Sequence, residues 1–142
     1  MRVTETKTVI RAPREKIWEL LVDLPSWPSW NTTVDKTEGS VELGKKVKVF
    51  VKLSPGRAFP VKVSELDKPS KMVWTGGMPL GLFKGVRTYT LTSTPAEDAV
   101  EFHMREVFSG PMSKLIEKSI PDMQPAFDEF AAALKQRAEA TS

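Results

Sequence analysis

The fold of this chain is decided by the stretch Ala12-Pro-Arg-Glu-Lys-Ile-Trp-Glu-Leu-Leu-Val-Asp-Leu-Pro-Ser-Trp-Pro-Ser-Trp-Asn31. Pro13 suits the first position of a helix, and the apolar residues after it recur at spacings of one, three and four, which is typical of one buried helix face. That face consists of Ile17, Trp18, Leu20, Leu21 and Leu24. The stretch therefore predicts a short helix with Trp18 in the core.

The end of this stretch predicts a turn. Pro25 and Pro28 each favour extended geometry in the residue before them, so we expect the helix to end there and a tight irregular turn to present Trp27 and Trp30. Together with Asn31, these two side chains are candidates for the rim of a ligand site. A tryptophan turn can also serve purely to pack the fold.

The composition indicates a globular protein. The chain has 142 residues, 40% of them hydrophobic and 27% charged, with no cysteine. This length predicts one domain over residues 1–142, and no stretch is long and apolar enough to cross a membrane. The N-terminus lacks the apolar core of a signal peptide and disulfides are excluded, so we expect a cytoplasmic protein.

The net charge of +3 is spread along the chain, except in the run Lys45-Lys-Val-Lys-Val-Phe-Val-Lys52. Alternation in this run places lysines on one face and valines on the other, which predicts a half-buried strand with a solvated outer face. A nucleic-acid interface would add exposed aromatic residues or a known binding module. We therefore expect no nucleic-acid partner.

Six further strands are predicted from alternating runs, and short connections between them favour an antiparallel meander. The predicted strands cover residues 2–11, 33–38, 46–53, 60–67, 71–76, 83–94 and 98–109. From Pro111 to about Ala138 the apolar period becomes helical, and Pro121 predicts a break near Ser119 to Asp122, with Ser119 as the cap of the second half.

This order of elements predicts an α+β fold. Only a curved antiparallel sheet of about seven strands, wrapped around the long C-terminal helix, buries the apolar faces of both. Short helices follow the first strand. Such a sheet and helix can leave a cavity between them.

The whole chain resembles the START-like (SRPBCC) superfamily, in its polyketide cyclase/dehydrase-like branch. The resemblance is carried by Ile10-Arg-Ala-Pro-Arg-Glu-Lys-Ile-Trp-Glu-Leu-Leu-Val-Asp23, Trp27-Pro-Ser-Trp-Asn31, Glu106-Val-Phe-Ser-Gly-Pro-Met112 and Phe130-Ala-Ala-Ala-Leu-Lys-Gln-Arg-Ala-Glu139. It implies a helix-grip fold whose cavity opens between the long helix and the sheet. The superfamily includes lipid carriers, hormone receptors and aromatic cyclases, so function has to be argued from the cavity wall.

Strand phase predicts which residues face the cavity. Glu106 is the one carboxylate in the inward row of its strand, and Arg87 and Tyr89 share the inward row of the strand before it. Burial disfavours a charged carboxyl, so Glu106 is a candidate general acid or base, with Arg87 and Tyr89 as its catalytic partners. An internal ion pair that only fixes the sheet is the alternative.

Other residues are candidates for ligand contact. Trp74 either stacks on a flat ligand or packs against the long helix, and the glycine-rich segment 76–85 predicts a hairpin loop with Met78, Leu80 and Leu82 as an apolar lip. The full set of expected ligand contacts is Trp27, Trp30, Asn31, Trp74, Met78, Phe83, Arg87, Tyr89, Met104, Glu106 and Phe127.

His103 is the only histidine and is out of phase with the inward row, so a catalytic triad lacks its base. With no cysteine and no clustered carboxylates, we expect neither a metal nor a cofactor.

Three functions remain open at this point. The first is a protein that binds a small apolar or aromatic molecule, as a monomer or homodimer. The second is a cyclase/dehydrase-type enzyme, and the third is an interaction module, similar to the chaperone-activator branch, whose cavity is filled by side chains.

Overall fold

The computed structural model describes residues 2–53, 56, 58–96 and 98–140, and of residues 58 and 59 only the backbone. The strands are β1 (Arg2–Ile10), β2 (Val34–Glu38), β3 (Lys46–Val51), β4 (Ala58–Asp67), β5 (Lys71–Gly77), β6 (Lys84–Ser93) and β7 (Val100–Ser109). The helices are α1 (Arg14–Val22), α2 (Trp27–Trp30), α3 (Ser113–Glu117) and α4 (Gln124–Ala140), with single 3₁₀ turns at Leu24–Ser26 and Pro79–Gly81.

The described strands form one seven-stranded sheet in the order β1-β7-β6-β5-β4-β3-β2, and every neighbouring pair is antiparallel. Strands β2 to β7 are a meander, because each pairs with the next along the chain. Only β1 pairs out of sequence, with β7. The sheet curls into a half-barrel against the C-terminal helix, which confirms the predicted α+β helix-grip fold.

The core lies between the inner face of the sheet and the two longer helices. Helix α1 buries Ile17, Trp18 and Leu21, and α4 buries an apolar face that includes Phe127 and Phe130. Trp18 is 2% exposed, as the sequence predicts. Burying a side chain of this size contributes on the order of 2–3 kcal/mol of hydrophobic stabilisation, so this face seats α1 on the rest of the fold.

The tryptophan turn is helical, and the expectation of an irregular extended turn is wrong. Trp27 has φ −51° and ψ −46° although a proline follows it. Pro25 and Pro28 each occupy the first turn of their helical segment, where the missing N–H costs no hydrogen bond. Pro13, by contrast, precedes α1 in an extended conformation, so α1 begins one residue later than predicted.

The C-terminal helical region is broken where the prolines predict, because residues 118–123 separate α3 from α4. The predicted cap is wrong. Asp122 Oδ1 accepts a 3.0 Å hydrogen bond from the backbone N–H of Gln124, whereas the Ser119 hydroxyl donates to the carbonyl of Ile116. Asp122 fulfils this role because α4 begins nearer to Pro125 than to Pro121.

Candidate functional site

A cavity of about 770 Å³ lies between the inner face of the sheet and the region of α3 and α4. Most of the side chains in its wall are apolar, and both layers of the fold contribute. The larger apolar residues of the wall include Trp27, Trp74, Phe83, Met104, Phe108, Phe127 and Phe130.

One ion pair interrupts this apolar wall. Arg87 on β6 and Glu106 on β7 are direct partners in the strand register, and Arg87 Nε donates a 2.6 Å hydrogen bond to Glu106 Oε2. Their side chains are 23% and 12% exposed, and both line the cavity. The predicted pairing of these two residues is confirmed.

The Arg87 guanidinium is held from two sides. Its central carbon lies 4.9 Å from the ring centroid of Phe127 on α4, within range of a cation–π contact. Burial would lower the pKa of Arg87, but the Glu106 carboxylate and the Tyr89 phenol raise it above the ordinary value. Arg87 therefore stays charged, with the Glu106 carboxylate and the Tyr89 phenol as the hydrogen-bonding neighbours of its guanidinium.

Behind the ion pair lies a group of packed aromatic rings. Trp74 is the partner of Arg87 on β5, stacks on Trp27 with ring centroids 5.6 Å apart, and meets Tyr89 edge-on at 5.0 Å. Burial raises the pKa of Tyr89 to about 12, and the nearby Arg87 charge offsets part of that rise. Within the described residues neither the Tyr89 hydroxyl nor Trp74 Nε1 has a hydrogen-bond partner of acceptable geometry.

Exposed polar residues mark the mouth of the cavity. Thr32 and Glu129 both line it, and the Thr32 hydroxyl donates a 2.6 Å hydrogen bond to Glu129 Oε2, which ties the segment before β2 to α4. Lys52 and Ser119 are the other exposed polar residues of the wall.

The segment between α3 and α4 forms one side of this mouth and is fastened by the first strand. Arg2 donates from Nη1 to the carbonyls of Glu117 and Ile120, and from Nη2 to that of Pro121. Ile120 and Pro121 themselves line the cavity. Arg2 thus fixes a stretch of cavity wall that has little regular structure of its own.

The structure brings seven of the predicted contact residues into the cavity wall. They are Trp27, Trp74, Phe83, Arg87, Met104, Glu106 and Phe127. Tyr89, Trp30 and Asn31 are buried but lie outside this wall.

Three expectations about position are wrong. Trp30 and Asn31 are not at the rim, because the helical turn of α2 directs them into the core, where they are 7% and 0% exposed. Tyr89 is not in the cavity wall, because its ring is 0% exposed and packs edge-on against Trp74, which does line the cavity. Met78 lies outside the cavity wall because the hairpin after β5 carries it to the surface.

Sequence reasoning missed the mouth of the cavity. The Thr32–Glu129 hydrogen bond and the Arg2 contacts join residues far apart in the chain, so no local pattern could reveal them. Ile116 and Ile120 do carry a signal, since their spacing of four places both on one helical face.

The other predicted absences can be compared with the described residues only. His103 lies on the outer face, where Nε2 is 2.8 Å from Glu5 Oε1. In residues 2–53, 56, 58–96 and 98–140 there is no group of side chains that could hold a metal ion. Within the same ranges, the helices are all too short or too polar to span a bilayer.

Comparison with known proteins identifies the family. Residues 1–139 match the family described as polyketide cyclase/dehydrase and lipid transport. The chain belongs to this family. The matched residues include all seven strands of the sheet and every residue that lines the cavity.

The individual proteins to which the chain is similar differ from it at most positions. Oxopyrrolidines biosynthesis cluster protein O of Penicillium oxalicum is 28% identical over 127 residues, and the match covers 74% of this chain and 61% of that protein. A START superfamily protein from Mycobacterium smegmatis has a TM-score of 0.70 at 15% identity, with 99% of each chain covered. The di-domain ARO/CYC BexL from the BE-7585A biosynthetic pathway has a TM-score of 0.71 at 14% identity, covering 98% of this chain and 47% of BexL.

Proposed function

We propose that the protein binds a small apolar or aromatic molecule that carries one uncharged hydrogen-bond acceptor, such as a carbonyl. The observation that carries this proposal is the cavity of about 770 Å³, whose wall is mostly apolar and contains the Arg87–Glu106 pair, while its exposed polar residues lie at the mouth. Cavities of roughly 300–1,000 Å³ with a few placed polar groups are the usual form of a small-molecule site.

The ion pair supports an uncharged acceptor. Arg87 and Glu106 neutralise each other, so an anionic ligand would add an uncompensated charge to an apolar cavity, which is costly. The Arg87 guanidinium has five N–H donors, more than Glu106 and Tyr89 engage, so it can also donate to a carbonyl oxygen of a ligand. The flat rings of Trp27 and Trp74 provide apolar surface for the rest of the molecule.

Fluorescence titration with N-phenylnaphthylamine, a neutral aromatic probe, tests whether the cavity binds apolar molecules. Ala126 lines the cavity on α4, so Ala126→Phe is expected to fill part of it and lower probe affinity at least tenfold. Ala132 is exposed on the same helix, and Ala132→Phe is the matched control. Equal affinities of the two variants would refute binding in this cavity.

A pair of ligands that differ by one carbonyl tests whether the cavity prefers a molecule with a hydrogen-bond acceptor. Acetylnaphthalene, which has a carbonyl, is expected to bind more tightly than naphthalene. The double variant Arg87→Met/Glu106→Leu removes the pair without leaving one charge unpaired, and should abolish this preference while retaining naphthalene binding. If wild-type protein binds both compounds equally, Arg87 does not select a carbonyl.

An enzyme of the cyclase/dehydrase type is a second candidate. One observation favours it: Glu106 lines the cavity, and its Oε1 accepts no hydrogen bond from the described residues. That oxygen can take a proton from carbon during an aldol closure, and the dehydration that follows releases one water.

The test uses a linear poly-β-ketone thioester as substrate. Mass spectrometry should detect loss of one water per ring closed by wild-type protein, and Glu106→Gln should abolish it while probe binding persists. If the wild-type protein leaves the thioester unchanged, the cyclase candidate is excluded for this substrate class. The third function, an interaction module, would call for a cavity filled by side chains, and the open cavity gives it no support.

A further inference from the structure

Four large apolar side chains face solvent at one end of the sheet. Leu80 is 96% exposed and Leu115 65%, and Met78 and Leu82 are 41% and 36% exposed. They belong to the hairpin after β5 and to α3, which are joined where the Met112 N–H donates a 2.9 Å hydrogen bond to the Leu82 carbonyl. We call Met78, Leu80, Leu82 and Leu115 the apolar tip. A group of exposed apolar residues of this kind marks an interaction surface.

The stability of the fold does not explain why a leucine occupies position 80. Its φ of 62° lies in the left-handed region, which a leucine adopts at a cost and which glycine, asparagine or aspartate tolerates better. At 96% exposure its side chain has almost no packing to compensate for that cost. A leucine at the end of this hairpin therefore points to a contact outside the molecule.

Next to the apolar tip lies a shallow depression of about 470 Å³ with three lysines in its wall. Lys46 and Lys62 are direct partners on β3 and β4, Lys84 begins β6, and Met78 of the tip lines the same depression. Among the described residues no carboxylate lines it, and none forms an ion pair with these three lysines. We call Lys46, Lys62 and Lys84 the lysine cluster.

We propose that the apolar tip and the lysine cluster together form a docking surface for an anionic lipid bilayer. Aliphatic side chains enter the boundary between headgroups and acyl chains, while ammonium groups contact lipid phosphates. The two features are adjacent and share Met78, so one orientation engages both. A nucleic acid fits less well because the four tip side chains are not aromatic, and Phe83 in the wall of the depression is partly buried and so offers a base little stacking surface.

The proposed docking surface lies next to part of the cavity wall. Phe83 and Ile116 line the cavity and directly follow Leu82 and Leu115 of the tip in sequence. A docked protein would therefore hold the hairpin and α3 side of its cavity next to the bilayer. An apolar ligand could then pass between bilayer and cavity with little exposure to water; this last step rests on the proposed function, whereas docking itself does not.

Vesicle cosedimentation tests the docking surface. The full chain is mixed with vesicles of phosphatidylcholine, or of equal parts phosphatidylcholine and phosphatidylglycerol, at low and high salt. We expect binding to the anionic vesicles that weakens in high salt. Replacing a lysine of the cluster by glutamine should lower binding about fivefold, the contribution of one cation near such a surface. Leu80→Asp should lower it severalfold, and Asp suits the local backbone, so folding should be retained.

Matched controls lie at the opposite end of the sheet. Val9 is an exposed apolar residue of β1 and Lys68 an exposed lysine between β4 and β5, so Val9→Asp and Lys68→Gln should bind vesicles as wild type does. Equal binding to neutral and anionic vesicles, or unchanged binding of Leu80→Asp, would overturn the proposal. So would binding to duplex DNA with the same lysine dependence and no effect of Leu80→Asp.

One more variant separates this proposal from the proposed function. Ala126→Phe fills part of the cavity and changes no residue of the apolar tip or the lysine cluster, so it should lower probe affinity at least tenfold and retain vesicle binding. Loss of vesicle binding in this variant would contradict a separate docking surface.

Discussion

Arg87 and Glu106 face each other across β6 and β7 and form a hydrogen-bonded ion pair in the wall of an apolar cavity. Charges in such a position stabilise each other, but each would be costly without its partner. The pair therefore acts as one unit, in stability as well as in ligand binding.

Glu106→Gln is expected to lower the free energy of unfolding by about 3 kcal/mol, the lower end for breaking a buried pair, because the cavity leaves both side chains partly accessible. Urea denaturation provides the measurement. The double variant Arg87→Met/Glu106→Leu should regain most of this loss. If the stability losses of Arg87→Met and Glu106→Leu, measured singly, add up to the loss of the double variant, the two side chains are not energetically coupled.

Tyr89→Phe is expected to leave stability at neutral pH unchanged or slightly raised, because the buried hydroxyl has no well-oriented partner among the described residues. The pKa of Tyr89 is raised from 10.0 to about 12. The stability that this shift contributes is fully present below pH 10 and is lost as pH rises towards 12.

Two measurements check the behaviour of Tyr89. It is the only tyrosine, so the absorbance of tyrosinate in the native protein reports its ionisation directly. Its midpoint should lie near 12, and Tyr89→Phe should lose less stability between pH 10 and 12 than the wild type. A native midpoint at 10.0 would contradict the burial argument.

Arg2→Met is expected to loosen the segment between α3 and α4, since Arg2 donates to three carbonyls at or near this segment. Amide hydrogen exchange should accelerate in residues 116–123 while the sheet remains protected. Global stability should fall by about 1–2 kcal/mol. Arg105→Met, at an exposed position of β7, is the comparison and should leave the segment unchanged.

Gly110→Ala is expected to separate α3 from the hairpin. A Cβ there would lie 2.7 Å from the Leu82 carbonyl oxygen, and φ is +104°, so both contact and conformation oppose it. Gly44→Ala is the matched control, because Gly44 has φ +83° with no atom within 4 Å. Thermal unfolding should show a loss of about 1–2 kcal/mol for the control and a clearly larger loss for Gly110→Ala. Equal losses would mean that the contact with Leu82 is unimportant.

The inward rows were predictable from the sequence because a strand places every second side chain on the same face. That rule, with the short connection between two neighbouring strands, was sufficient to pair Arg87 with Glu106. The bounds of the strands agree with the predicted runs to within about two residues, because β-branched runs and turn residues define both ends.

The helical segments were harder to predict because a local preference can be outweighed by packing. Pro28 disfavours a helical Trp27, yet Trp27 packs edge-on against Phe130 and its indole N–H donates to the carbonyl of Leu20. The contact with Phe130 joins residues that are distant in sequence, so no local pattern reveals it. The same limit explains why Trp30 and Asn31 were expected at the rim and lie in the core.

The pairing of β1 with β7 has a consequence for the order of folding. The meander from β2 to β7 can assemble from neighbouring segments of the chain. In contrast, β1 pairs with a strand about a hundred residues away, and contacts between such distant segments form slowly. Helix α4 packs mainly on β1, so the two join the structure together. During synthesis, the cavity can acquire its full wall only after α4 has left the ribosome.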